Sequence, residues 1–184
     1  VEAATCSIGV VGKGIELGTH LRPGQIVAEK LGDIAYTALS GPSHAEEVAQ
    51  RVPTAVVVAS TQPAPAEFAQ KALMTDNFRI YTSTDVIGVE LGGALKNVFA
   101  VAAGICDGMG LGDNSKAAMI TRGIAEMGRL GKLLGGQPET FAGLSGVGDL
   151  IVTCMSRHSR NRHVGEELGR GRTLDDIQEK MGKV

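Results

Sequence analysis

Tryptophan is missing from the 184 residues, and four phenylalanines and two tyrosines supply the only phenyl rings. With so few stacking faces and a formal net charge of −2, the chain has no basic field to lay against a phosphate backbone, so nucleic acid is not an expected partner. Cysteine is scarce as well. Cys6, Cys106 and Cys154 lie far apart with no C-x-x-C spacing, so no disulfide framework and no metal site are expected. No stretch reaches about 18 consecutive apolar residues, so no membrane span is expected and a soluble, cytoplasmic protein is. An initiating Met and a signal peptide are lacking too, and the opening Val1-Glu2-Ala3 reads as that of a fragment.

Glycine, by contrast, is plentiful at 26 residues and follows no fixed period, which makes close backbone contacts plausible. From Ser7 to about Asp85 short β-branched runs alternate with Gly and Pro. The runs 7–11, 35–39, 54–59 and 79–82 read as strands, and 64–76 reads as a helix anchored by Phe68, Leu73 and Met74. Strand, helix, strand implies an α/β layer. Beyond residue 86 the strands stop. Leu91, Leu95, Val98, Phe99 and Ala102 recur at helical spacing over 86–104. Met119, Ile120, Ile124, Met127 and Leu130 repeat the pattern over 115–134, with Asp113, Asn114 and Ser115 as candidate caps, Gly135-Gly136 as the stop, and Lys116 on the polar face. Thr173 caps a last helix, 174–181. The expected architecture is an α/β region, residues 1–86, followed by an all-α region, residues 87–184.

Several polar groups have spacings that suit chemistry. Ser40-Gly41-Pro42-Ser43-His44-Ala45 follows a strand, where a small-residue turn lets a ligand approach backbone N–H groups; it also suits a plain turn with Ser43 capping a short helix. Lys13, held between Gly12 and Gly14, is either a solvated charge or an anion contact. Lys96 shares a helix strip with Gly92, Gly93, Ala100 and Ala103, and Asn97 lies beside it. A ligand can lie flat on such a strip, and desolvation there lowers the lysine's pKa toward that of a general base. Alternatively, the small residues pack a second helix and Lys96 snorkels to water. Asp149 begins a helix after the glycine-rich 143–148, where the dipole favours a carboxylate, and Thr153 shares its face. Ser159 as N-cap places Arg160 and Asn161 in a first turn, in a cluster that also holds Arg157 and Arg162. Cations there call for an anion such as phosphate.

Taken in order, the strings Gly-Lys-Gly (12–14), Ser-Gly-Pro-Ser-His-Ala-Glu-Glu-Val (40–48), Glu-Leu-Gly-Gly-Ala-Leu-Lys-Asn (90–97), Gly-Leu-Gly-Asp-Asn (110–114), Gly-Val-Gly-Asp-Leu-Ile-Val-Thr-Cys (146–154) and Ser-Arg-Asn-Arg (159–162) resemble the bacterial NAD(P)-dependent glycerol-3-phosphate dehydrogenases. The resemblance implies a partial Rossmann domain followed by an all-α C-terminal domain. It also implies interconversion of sn-glycerol 3-phosphate and dihydroxyacetone phosphate for phospholipid synthesis, in the cytoplasm, by a homo-oligomer. By the family pattern Lys96 is the proton acceptor and binds substrate together with Lys13, Gly41, Ser43, Asp149, Ser159, Arg160 and Asn161. Lys13, Ala45 and Arg160 meet the cofactor, NAD or NADP. The family's Gly-x-Gly-x-x-[Gly/Ala] turn does not occur in the chain, so the choice between NAD and NADP is not legible. A 6-phosphogluconate-type or hydroxyacyl-type dehydrogenase shares Lys-Asn, but Ser40-Gly41-Pro42-Ser43 and Ser159-Arg160-Asn161-Arg162 argue against both. A non-catalytic helical module would have lost at least one of Lys96, Asp149, Arg160 or Asn161. Lys96, Asp149 and Arg160 are expected to converge on one pocket.

Overall fold

A computed structural model of the chain describes residues 7–181; Cys6 lies outside them. The α/β part runs β1 (Ser7–Val10), α1 (Pro23–Leu31), β2 (Ala35–Ser40), α2 (Ala45–Ala49), β3 (Thr54–Ala59), α3 (Pro63–Leu73) and β4 (Phe78–Ser83). The helical part runs α4 (Val86–Gly108), α5 (Gly112–Leu133), α6 (Pro138–Phe141), α7 (Asp149–Met155), α8 (Arg160–Gly169) and α9 (Leu174–Met181), with a single π-helical turn at Leu144–Gly148.

The sheet has four strands in the order β1-β2-β3-β4. β1 with β2 and β3 with β4 pair in parallel, Val56 standing opposite Ile80, while β2 and β3 are antiparallel, Leu39 opposite Val58. The sheet is therefore mixed. Its core is Val56, Val58, Ala66 and Ile80. The helical core, Leu91, Ala100, Ala103, Met127, Phe141, Leu150 and Cys154, gathers around α4. By length and composition α4 is apolar enough to cross a bilayer, yet 56% of its most apolar 18-residue window is buried, and it packs against α5, α7 and α8. Asp85 caps it, accepting from the Gly88 N–H at 2.9 Å, and also accepts from the Gln137 N–H and the Thr140 hydroxyl.

Several sequence expectations fail on which face a helix buries. Helix α3 ends at Leu73 and turns Phe68, Leu73 and Met74 outward; it meets the sheet through Ala66 and Ala69, and Gln70 Nε2 donates to the Ile80 carbonyl at 2.7 Å. Small residues bring a helix closer to a sheet than a phenyl ring would. Val98 and Leu130 are also exposed, because the buried faces run through Ala100 and Ala103 on α4 and through Gly123, Met127 and Gly131 on α5. Asp113, Asn114 and Ser115 lie inside the first turn of α5 rather than capping it. Ser43 caps nothing: its hydroxyl donates to the Gly41 carbonyl at 3.2 Å, and His44 is the N-cap of α2. Lys116, on the polar face as expected, is ion-paired: both oxygens of Asp107 accept from it at 2.8–2.9 Å. The strands, the α5 stop at the left-handed Gly135 and the Thr173 cap, bonded to the Asp176 N–H, follow the sequence reading.

Candidate active site

Asp149 is 1% exposed and stands at the start of α7, facing α4. The approach is set by glycine: a Cβ at Gly92 would lie 2.4 Å from the Ser145 carbonyl oxygen, so only Gly92 lets the turn 144–148 rest on α4. From there Asp149 Oδ1 accepts from Lys96 Nζ at 2.6 Å and Oδ2 accepts from Lys13 Nζ at 2.6 Å. Lys13 also donates to the Gly41 carbonyl at 3.0 Å. Lys96 makes a second bond, to Thr153 Oγ1 at 2.8 Å, while that hydroxyl donates to the Asp149 carbonyl at 2.5 Å. Lys13, Gly41, Lys96, Asp149 and Thr153 thus form one cluster where the sheet meets the helices.

The cluster is electrostatically uneven. One carboxylate faces two ammonium groups, so it neutralises only one of them. Lys96 is 7% exposed. Burial pushes its pKa below the ordinary lysine value; Asp149 opposes that shift and the Lys13 charge reinforces it. A buried ion pair is weak support for stability, which makes this cluster a candidate for chemistry. Two bonds to protein leave one hydrogen of the Lys96 ammonium without a partner among the described residues. The small-residue strip does not hold a ligand as the first of the two sequence readings had it. Gly92 meets Ser145, Gly93 meets Ser40 and Lys13, and a Cβ at Gly104 would lie 1.9 Å from the Arg162 carbonyl oxygen. Nor does Lys96 snorkel to water.

Ser159 caps α8, its Oγ accepting from the Arg162 N–H at 3.2 Å, and is buried. Arg160 and Asn161 lie in the first turn, Arg160 exposed and Asn161 half-buried. Arg160 shares no hydrogen bond or ion pair with the Lys96 cluster among the described residues, so the structure does not join the expected third member to the other two. Arg162 is occupied differently: its Nε and Nη2 donate to Asp107 at 2.8 and 2.6 Å. Burial opposes ionisation of Asp107, but the bonds from Lys116 and Arg162 prevail and hold its pKa below the usual value. Ala45 is exposed at the start of α2. Two buried atoms on the turn before it, Ser40 Oγ and His44 Nε2, have no hydrogen-bond partner among the described residues. Thr153 entered the sequence reading only as a neighbour of Asp149, and its role as a Lys96 acceptor was signalled by that i, i+4 spacing.

A mixed sheet followed by helices, with a buried lysine held by a carboxylate at their junction, is the Rossmann-plus-helical class. Within it, the chain belongs to the NAD-dependent glycerol-3-phosphate dehydrogenase family: the family's C-terminal profile matches residues 85–184 and its N-terminal profile residues 3–66. A glycerol-3-phosphate dehydrogenase (NAD(P)+) of Desulfitobacterium hafniense is 57% identical over 94% of this chain and 49% of its own length. Its counterpart in Bacillus pumilus is 58% identical over 95% and 51%. The crystal structure of glycerol-3-phosphate dehydrogenase from Coxiella burnetii superposes with a TM-score of 0.94 at 43% identity, over 99% of this chain and 56% of that one. The chain spans about half the length of the curated relatives it matches.

Proposed function

We propose that the chain carries the proton-transfer and substrate-binding part of a dehydrogenase that interconverts sn-glycerol 3-phosphate and dihydroxyacetone phosphate, with residues 1–86 the Rossmann part and 87–184 the helical part. The observation that carries the reading is Lys96 Nζ, buried between Asp149 and Thr153 with one hydrogen left to offer. In oxidation the neutral Lys96 amine takes the proton of the C2 hydroxyl; in reduction the ammonium returns it to the carbonyl oxygen while stabilising the negative charge that develops there. Asp149 and Thr153 fix Nζ in place, so little reorganisation accompanies the transfer. Lys13 holds the other carboxylate oxygen and the Gly41 carbonyl, tying the sheet-side turn that carries Ser43 to the helical side.

The exposed Arg160, with Ser159 and Asn161 at the α8 N-terminus, suits the substrate phosphate, where a guanidinium fork and free N–H groups give geometry that a lone lysine cannot. The donor set also fits the near end of a nicotinamide dinucleotide, NAD or NADP. Lys13 and Arg160 supply cations, Ala45 is exposed at the start of α2, and the unpartnered Ser40 and His44 atoms lie on the turn that leads to it. Such a cofactor supplies the hydride acceptor. The assembly is taken to be a cytoplasmic homo-oligomer, which the exposed side chains of Val98, Leu133 and Leu134 accommodate.

The test is a spectrophotometric assay of reduced nicotinamide with the chain carried at the full length of its relatives. Glycerol 3-phosphate is expected to be oxidised and unphosphorylated glycerol not, with Arg160→Ala raising KM for the phosphate ester. Equal use of the two substrates would refute the roles given to Arg160 and Asn161.

A further inference from the structure

Glu90 is a carboxylate in the apolar run Val89-Glu90-Leu91 of α4, 7% exposed, and none of the readings above assigns it a role. A buried carboxylate persists only where hydrogen bonds replace water. All three of its bonds reach across to the sheet side. Oε1 accepts from the Gly24 N–H at 2.7 Å and from the Tyr36 hydroxyl at 2.6 Å, and Oε2 accepts from Arg22 Nη1 at 2.5 Å. Arg22 and Gly24 open α1, whose first-turn N–H groups and dipole favour an anion there. The fit is close, since a Cβ at Gly24 would lie 3.1 Å from Oε1 and 3.0 Å from the Tyr36 ring. Burial, reinforced by the bond to Glu90, raises the Tyr36 pKa far above the ordinary tyrosine value, so the phenol keeps its proton and donates. Glu90 and Tyr36 line, together with Lys13 and Ser40, a cavity of only about 10 Å³, too small to admit a substrate. Among the described residues Glu90 bonds to neither Lys13 nor Lys96.

Its reach is mechanical. Residues 11–22 link β1 to α1 and carry Lys13. One end of that loop is fixed by the pairing of β1 with β2, and the other by the bonds that Arg22 and Gly24 make to Glu90. Glu90 and Lys96 lie less than two turns apart on the same helix, so the loop is referenced to the backbone that carries Lys96. We propose that Glu90 is a positioning residue: by clamping the start of α1 to α4 it fixes the loop that seats Lys13 on Asp149 beside Lys96. The inference rests on the reading of Lys96 as the proton carrier. The groups facing Lys96 are Asp149 and Thr153 from α7, Lys13 from the loop, and the Cys154 thiol near them. Withdrawing the Lys13 charge removes a repulsion on protonated Lys96, and Lys96 then holds its proton to higher pH.

The test is competitive acetylation of individual lysines, read by mass spectrometry, on wild type, Glu90→Gln, Tyr36→Phe and Glu167→Gln, with exposed Lys30 as internal reference. Glu167→Gln removes a buried acid from α8, away from the clamp. Labelling of Lys13 should rise severalfold in Glu90→Gln, rise less in Tyr36→Phe, which loses one of the three bonds, and stay at the wild-type level in Glu167→Gln. At the full length of the relatives, Glu90→Gln should lower kcat/KM for glycerol 3-phosphate by about tenfold or more and move the pH midpoint of oxidation upward. Wild-type Lys13 reactivity in a folded Glu90→Gln overturns the proposal, and so does an unmoved pH midpoint. If Glu90→Gln does not fold, unchanged Lys13 labelling in Tyr36→Phe is decisive against it. A wild type that fails to oxidise glycerol 3-phosphate defeats the functional reading instead, while the acetylation pattern still judges the clamp.

Discussion

At Lys96, burial and a carboxylate pull in opposite directions, and the outcome sets the working range of the group. The Lys13 ammonium leaves Asp149 only part of its charge to give, so burial prevails and the amine form is reached at lower pH than in a free lysine. Two expectations follow. Lys96→Ala in the full-length enzyme should lower kcat by about a hundredfold or more while KM moves less, because proton transfer acts on the transition state; steady-state kinetics would show it, and a variant near wild-type kcat would remove Lys96 from the mechanism. For pH, the oxidation direction needs the neutral amine. The rate should therefore rise with pH through an apparent pKa below the 10.5 of an ordinary lysine. In the reduction direction, which needs the ammonium, the rate should fall through the same region. A profile of kcat/KM against pH that lacks this limb in both directions would contradict the assignment.

Helices α4 and α8 show how elements, rather than residues, hold the site in register. They cross backbone to backbone: a Cβ at Gly104 would lie 1.9 Å from the Arg162 carbonyl oxygen, and one at Gly165 would lie 2.0 Å from that of Val101. Gly104→Ala gains at most about 1 kcal/mol of helix propensity, but α8 must retreat to admit the methyl group, and such overpacking costs about 1–3 kcal/mol. Net destabilisation is expected, with a raised KM because Ser159, Arg160 and Asn161 move with α8. Gly128→Ala on α5 is the matched control: nothing lies within 4 Å of its Cβ, so the same change should stabilise, by about 0.4–1 kcal/mol. Denaturant midpoints for the two variants shifted the same way would show that crowding at Gly104 does not decide. The same elements mark the limits of sequence reading. Asp149 and Thr153 were legible as one face because helical spacing fixes what shares it, whereas the strip around Lys96 misled and only the family resemblance pointed from Lys96 to Asp149. The inward faces of α3 and α4 were not legible, because Ala66 and Ala100 carry no more apolar signal than their neighbours. Helix α1 opens on Pro23-Gly24, which reads as a turn until Glu90, far off in sequence, supplies the missing acceptor. Arg162 looked like part of an anion site because nothing local reveals Asp107. The antiparallel β2–β3 pairing was illegible as well, since alternation is the same in either direction.

For the molecule as a whole, the residues proposed for proton transfer and those that would hold a dinucleotide are unequally represented. Lys13, Lys96, Asp149 and Thr153 are bonded together within the described residues, whereas no Gly-x-Gly-x-x-Gly turn occurs anywhere in the 184 residues. That turn is what brings a backbone and a helix N-terminus against a pyrophosphate. Lys13 and Arg160 cannot replace it, because two side-chain cations attract phosphate without fixing the nicotinamide ring over a carbon atom. The 184-residue chain by itself is therefore expected to bind inorganic phosphate weakly and to oxidise no glycerol 3-phosphate. Its β1 edge is partly exposed and pairs only with β2 among the described residues, and Val98, Leu133 and Leu134 are open to solvent, so self-association is expected as well. Size-exclusion chromatography with light scattering would report the second expectation and a reduced-nicotinamide assay the first. Turnover by the isolated chain near the rate of a full-length relative would mean that the cofactor is held by residues described here, and the sites assigned to Lys13, Ala45 and Arg160 would then have to account for the whole dinucleotide.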